Sequence, residues 1–187
     1  MALSISHWLP DTSQKVLDIT VGDLLREAAR DAPSVIGLVS GLPDDQLRRW
    51  TYAQLLEGSE RVARALLTHF EPGARIAVWA PNIAEWVFLE LGAALAGMVL
   101  VTVNPAYRQA ELEHVLKQSR AAGIFLVREF RGNPMLETLL GVTPRLKTLR
   151  KRFVFESEWD AFLAGGRAGQ ALPTVQPGDA AQIQYTS

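Results

Sequence analysis

Apolar residues change their spacing along this chain, and the changes mark its elements. From Thr51 to Phe70 they recur at three- and four-residue intervals, through Leu55, Leu56, Val62, Ala63, Leu66 and Leu67, which gathers them on one face of a helix. Glu57, Glu60, Arg61 and Arg64 take the other face. Thr51 and Gln54 have capping-box spacing at its start, and Pro72-Gly73 is expected to end it. An earlier helix is expected over 20–31, with Thr20 as cap, Asp23 in the first turn and Leu24, Leu25 and Ala28 on its apolar face. Between the two helices, 34–39 and 46–50 read as short strands around a turn at 41–45, a hairpin on the rim of a sheet.

From residue 75 the pattern becomes a rhythm: strand at 75–79, helix at 82–96, strand at 99–103, helix at 110–119, strand at 123–127. Strands written as unbroken apolar runs and separated by helices are covered on both faces, as in a parallel sheet. The fold class that follows is α/β, a doubly wound, mostly parallel sheet flanked by helices. Beyond Phe130 the spacing weakens, with helices expected at 133–140 and 157–163 and an extended segment at 152–155. Residues 164–169 and 173–179 read as irregular connections, and 180–185 as a last apolar strand. The nearly apolar stretch 86–103 is not a membrane span. Glu90 interrupts it, and Gly97 divides an Ala/Leu-rich half from a β-branched half, the mark of a buried helix running into a buried strand.

With 187 residues, 48% hydrophobic and 21% charged, the chain fills one globular domain or part of a larger one. A formal net charge of -1 provides no field to gather nucleic acid, so any polyanion must be held locally. The basic run at 145–152 lacks interleaved aromatics and reads as a solvated segment. The absence of cysteine removes disulfides, thiolate catalysis and Cys-ligated metals. His7, His69 and His114 have no partners at metal-ligand spacing, and His69 sits near a helix C-terminus, where a positive charge would favour the dipole. The N-terminus shows no cationic start followed by an apolar core, so a cytoplasmic location is expected.

A doubly wound sheet binds ligands beyond the carboxyl ends of its strands. Three places qualify: Ala80-Pro81-Asn82, Asn104-Pro105-Ala106-Tyr107-Arg108, and Thr186-Ser187 after Tyr185. Asn82 reads as a helix cap and Asn104-Pro105 as a turn, while Tyr107 and Arg108 either line a mouth or flank the next helix. Thr186 and Ser187 have the chemistry to donate hydrogen bonds to phosphate oxygens, although no Gly or Lys follows to complete a cradle. A dinucleotide site would need Gly-x-Gly-x-x-Gly where Ala80-Pro81-Asn82 stands.

Several stretches together resemble the N-terminal part of the AMP-binding, adenylate-forming family, particularly its acyl-CoA synthetases. They are Thr20-Val21-Gly22-Asp23-Leu24-Leu25, Trp50-Thr51-Tyr52-Ala53-Gln54-Leu55, the run from Pro72 to Asn82, Glu85-Trp86, Ala96-Gly97, the run from Asn104 to Arg108, and the run from Ala181 to Ser187. The resemblance covers 20–187 and leaves 1–19 as an N-terminal extension. It implies an incomplete N-terminal portion of the large adenylate-forming domain, with Thr186 and Ser187 opening the ATP phosphate loop and Tyr185 as the strand residue that delivers them. It implies a ligase that joins a carboxylic or fatty acid to CoA through an acyl-adenylate, using ATP and Mg²⁺. The rest of the phosphate loop, the Glu for Mg²⁺, the Asp for ribose and the C-terminal lid Lys are expected beyond residue 187. The polypeptide alone is therefore expected to be inactive and, with a sheet edge uncovered, prone to self-association. The competing expectation is a non-catalytic nucleotide-binding or interaction module on the same scaffold. Resemblance at 104–108 points to medium- or long-chain acids, while the residues themselves leave the acid open.

Overall fold

The computed structural model describes residues 9–13, 16–41 and 47–185. His7, the centre of the 41–45 turn, Thr186 and Ser187 lie outside the described residues. The chain runs α1 (Val21–Asp31), β1 (Ile36–Ser40), β2 (Arg48–Thr51), α2 (Tyr52–Leu66), β3 (Arg75–Trp79), α3 (Ala84–Leu95), β4 (Val99–Thr102) and α4 (Gln109–Ser119). It continues through β5 (Gly123–Leu126), α5 (Met135–Val142), a 3-10 turn (Thr143–Arg145), β6 (Lys151–Val154), α6 (Phe155–Ala164) and β7 (Gln182–Ile183).

β1 and β2 pair antiparallel, as the hairpin expectation requires. The other strands form one sheet in the order β6-β5-β3-β4-β7, every pair parallel. α3 packs with α1 and α2, while α4 packs with α5. Both faces are thereby covered, and Ile76, Ala77, Val78 and Trp79 of the central strand are wholly buried. No described helix is long and apolar enough to cross a membrane.

Thr51 and Gln54 form the expected capping box: Gln54 N–H donates to Thr51 Oγ1 at 3.3 Å and Thr51 N–H to Gln54 Oε1 at 3.0 Å. Three details correct the sequence reading. α2 ends at Leu66 rather than at Pro72-Gly73, and the Thr68 hydroxyl donates to Ala65 O at 2.7 Å as the last turn unwinds. α1 buries Gly22, Leu25 and Ala29 and leaves Leu24 exposed. The helices meet closely at Gly22, where an added Cβ would stand 2.9 Å from Leu95 Cδ2, so the smallest residue defines the buried face. α3 starts at Ala84, later than the cap reading of Asn82 requires.

A cleft at the reversal of strand order

The C-terminal ends of β3, β4 and β7 open onto a cleft of about 640 Å³. Strand order reverses here: the chain leaves β3 through α3 for β4 on one side, and leaves β4 through α4 for β5 on the other. Right-handed crossovers in opposite directions put α3 and α4 on opposite faces, so their leading loops part and leave a crevice.

Hydrogen bonds fix the crevice walls. Trp79, at the end of β3, donates from its indole N–H to Asn104 O at 2.9 Å. The Tyr107 N–H donates to the same carbonyl at 3.0 Å, and Asn104 Oδ1 accepts the Ala106 N–H at 2.9 Å. These bonds fold the loop after β4 against the end of β3, with Tyr107 lining the cleft. On the other wall, Thr102 Oγ1 and Gln182 Nε2 each lie 3.1 Å from Gln184 Oε1 and donate to it. The Tyr185 hydroxyl donates to Val115 O at 3.3 Å, tying the chain after β7 to α4. Burial pushes this phenol above its ordinary pKa, which keeps it a donor.

Among the described residues the lining, which includes Asn82, Trp86, Thr102, Asn104, Tyr107 and Gln184, offers amides, hydroxyls and aromatic faces but no charged side chain. Such a surface suits uncharged polar or planar groups, and a triphosphate would have to find its counter-charges elsewhere. One turn along α3 from Trp86, burial pushes the Glu90 carboxyl above the usual carboxylate range. Among the described residues no group of three or more His, Asp or Glu is placed to hold a metal ion.

The sequence candidates separate clearly. Tyr185 and Tyr107 line the cleft. Arg108 flanks α4: its N–H donates to Glu111 Oε2 at 2.8 Å and its guanidinium reaches Asn133 Oδ1 at 3.0 Å. Asn82 does not cap α3. The N-cap is Ile83, which makes no side-chain cap bond, and Asn82 stands exposed on the cleft rim. His69 packs among Phe70, Phe153 and Phe162. Burial, with Lys151 adding to it, lowers its pKa, so it serves as a neutral aromatic rather than a charge at the end of a helix. Within the basic run, Arg145 pairs with Glu113 at 2.7 Å.

Asn133 was missed by the periodicity, which reads it as the start of a helix. It is 4% exposed and precedes α5. The only signal in the sequence is Gly132-Asn133-Pro134, a turn pattern that says nothing about what the amide touches.

The AMP-binding enzyme family matches residues 25–187. The mitochondrial medium-chain acyl-CoA ligase ACSF2 of Mus musculus is 34% identical over 144 residues, 76% of this chain and 23% of the relative. Its Homo sapiens counterpart is 35% identical over 129 residues, 68% of this chain and 20% of the relative. The crystal structure of a long-chain-fatty-acid-CoA ligase, FadD1 from Archaeoglobus fulgidus, superposes with a TM-score of 0.81 at 19% identity, over 96% of this chain and 37% of that one. That last likeness is one of fold. The chain spans less than a quarter of the length of these mouse and human relatives.

Proposed function

This chain belongs to the AMP-binding enzyme family, and from that premise we propose that it forms the N-terminal part of an ATP-dependent acyl-CoA synthetase. The observation that carries the reading is the cleft at the reversal of strand order, with β7 and Tyr185 on one wall leading directly to Thr186 and Ser187. In the reaction proposed, a carboxylate oxygen of the acid attacks the α-phosphorus of ATP, the bond to pyrophosphate breaks, and an acyl-adenylate results. The sulfur of CoA then attacks the acyl carbon, and AMP leaves. Thr186 and Ser187 donate hydrogen bonds to phosphate oxygens as charge develops on the leaving pyrophosphate. The uncharged lining, with Tyr107 and Trp86, holds an uncharged part of the bound substrates.

Mg²⁺ would offset charge on the triphosphate. None of the described carboxylates forms a cluster suited to it. Medium- or long-chain fatty acids are the proposed acids, and the proposed location is cytoplasmic. By itself the 187-residue polypeptide supplies one part of the site and does not adenylate acids. Acid-dependent ATP–pyrophosphate exchange by the purified polypeptide tests this: none is expected, and measurable exchange would refute it. Among the described residues β7 pairs with β4 alone and leaves an open sheet edge, so the polypeptide self-associates in this reading. A monomer with a cooperative thermal transition would contradict that.

The uncharged lining also favours a second reading, a non-catalytic nucleotide-binding or interaction module on the same scaffold. The codons after Ser187 separate the two. Continuation into a Gly- and Thr-rich loop with a Lys supports the synthetase, and a stop codon supports the module.

A further inference from the structure

We propose that Asn133 is a positioning residue for the cleft, acting through the loop that carries Tyr107. This rests on the reading of the cleft as a ligand site. Residues 130–133 form a tight turn in which Phe130 N–H donates to Asn133 O at 3.1 Å and Asn133 N–H donates to Phe130 O at 2.9 Å. Its central residues, Arg131 and Gly132, have φ of 49° and 72°, the left-handed pair of a type I′ turn. The turn presents the Asn133 side chain to the loop after β4. Its amide nitrogen donates to Pro105 O at 3.0 Å and to Tyr107 O at 3.1 Å, and its Oδ1 accepts from Arg108 Nη1 at 3.0 Å.

One buried amide therefore uses both donors and its acceptor on three residues of the same loop, Pro105, Tyr107 and Arg108. Trp79 holds the near end of that loop at Asn104, and Asn133 holds the far end. Without Asn133, two carbonyls lose their partners and the backbone beneath Tyr107 is tethered from one side only. Polar satisfaction of this kind fixes a single arrangement in a way apolar packing does not.

Asn133→Asp keeps the size and the Arg108 partner but removes both donors, and Asn133→Leu removes all three bonds. Hydrogen–deuterium exchange of the full 187-residue chain reads the effect. Loss of two such bonds is expected to speed exchange over 104–108 by about five- to thirtyfold, with 75–79 in β3 unchanged. Unchanged exchange over 104–108 in the Asp variant, or an equal rise over 75–79, would overturn the proposal, even if the Leu variant fails to fold. A second arm adds MgATP to the protein expressed from the reading frame followed past the Ser187 codon. Slower exchange over 104–108 in the wild-type chain is expected from the ligand reading, with that protection reduced in Asn133→Asp. No protection of the wild-type loop would sink the ligand reading of the cleft and leave the exchange test of Asn133 standing.

Discussion

Replacing Gly92 by Ala sets two physical effects against each other, and the structure says which prevails. Alanine favours a helix interior over glycine by roughly 1 kcal/mol, so propensity alone makes Gly92→Ala stabilising. Gly92 lies on the face of α3 that meets α2, where an added Cβ would stand 2.5 Å from Val62 Cγ1, 2.7 Å from Val62 Cβ and 3.0 Å from Ser59 O. Val62 is wholly buried, and two of the three contacts are to a branch-point carbon and to backbone, so no side-chain rotation relieves them. The helices must separate, and overpacking of this type costs about 1–3 kcal/mol. With contacts this short the upper part of that range applies, and the net loss is roughly 1–2 kcal/mol. For a chain of this size that corresponds to a melting temperature lower by about 2–8 °C. Gly141→Ala provides the control, because Gly141 is exposed in α5 and nothing lies within 4 Å of its added Cβ. It should raise the melting temperature by a few degrees, up to about 4 °C. Thermal melts of the two variants beside the wild type decide the matter. A Gly92→Ala protein melting at or above the wild type would refute the close-approach argument.

Thr51→Ala removes one half of the capping box and should cost about 1 kcal/mol in urea unfolding, while Thr51→Ser should retain most of the stability. Glu113, beside Arg145 and Lys117, has its pKa held down to about 2 from an ordinary 4.5. A carboxyl whose folded pKa is depressed contributes stability that is full above about 4.5 and is lost as pH falls toward 2. The melting-temperature advantage of wild type over Glu113→Gln should therefore shrink across that window; an advantage independent of pH would contradict the ion pairing. His69 has a lowered pKa because of its burial, so below its ordinary value near 6.5 the unfolded chain takes up a proton that the folded chain resists. His69→Phe should flatten the fall in stability below that pH, and an unchanged slope in a pH series of melts would count against the neutral-ring role.

The sheet and most helices were legible because their signals are local. Continuous apolar runs at β3, β4 and β5 can be satisfied only by burial on both faces, and Thr51 with Gln54 needs no tertiary partner to specify a helix start. The misreadings arise where contact across elements decides. Leu24 outranks Gly22 by hydrophobicity, yet the approach of α3 selects Gly22 for the interface. Asn82 after Pro81 has the composition of a cap, but the extended backbone of Ile83 delays the helix and leaves Asn82 on the cleft rim. At the cleft, the loops after β3 and β4 and the chain after β7 meet, and Tyr107 and Tyr185 line it. Asn133 was invisible because its partners, Pro105 and Tyr107, are distant in sequence and are touched through their carbonyls, which leave no trace in side-chain pattern.

The central claim is that these residues open the ATP site of an acyl-CoA synthetase, and AMP release tests it most directly. The reading frame followed past the Ser187 codon is expressed, and AMP formation is measured with ATP, Mg²⁺, CoA and fatty acids of graded length. The account predicts AMP only when both acid and CoA are present, and a rate lower by about 10²- to 10³-fold when Thr186 and Ser187 are both changed to Ala. No acid-dependent AMP from the wild-type protein, or a double variant within twofold of it, would contradict the claim.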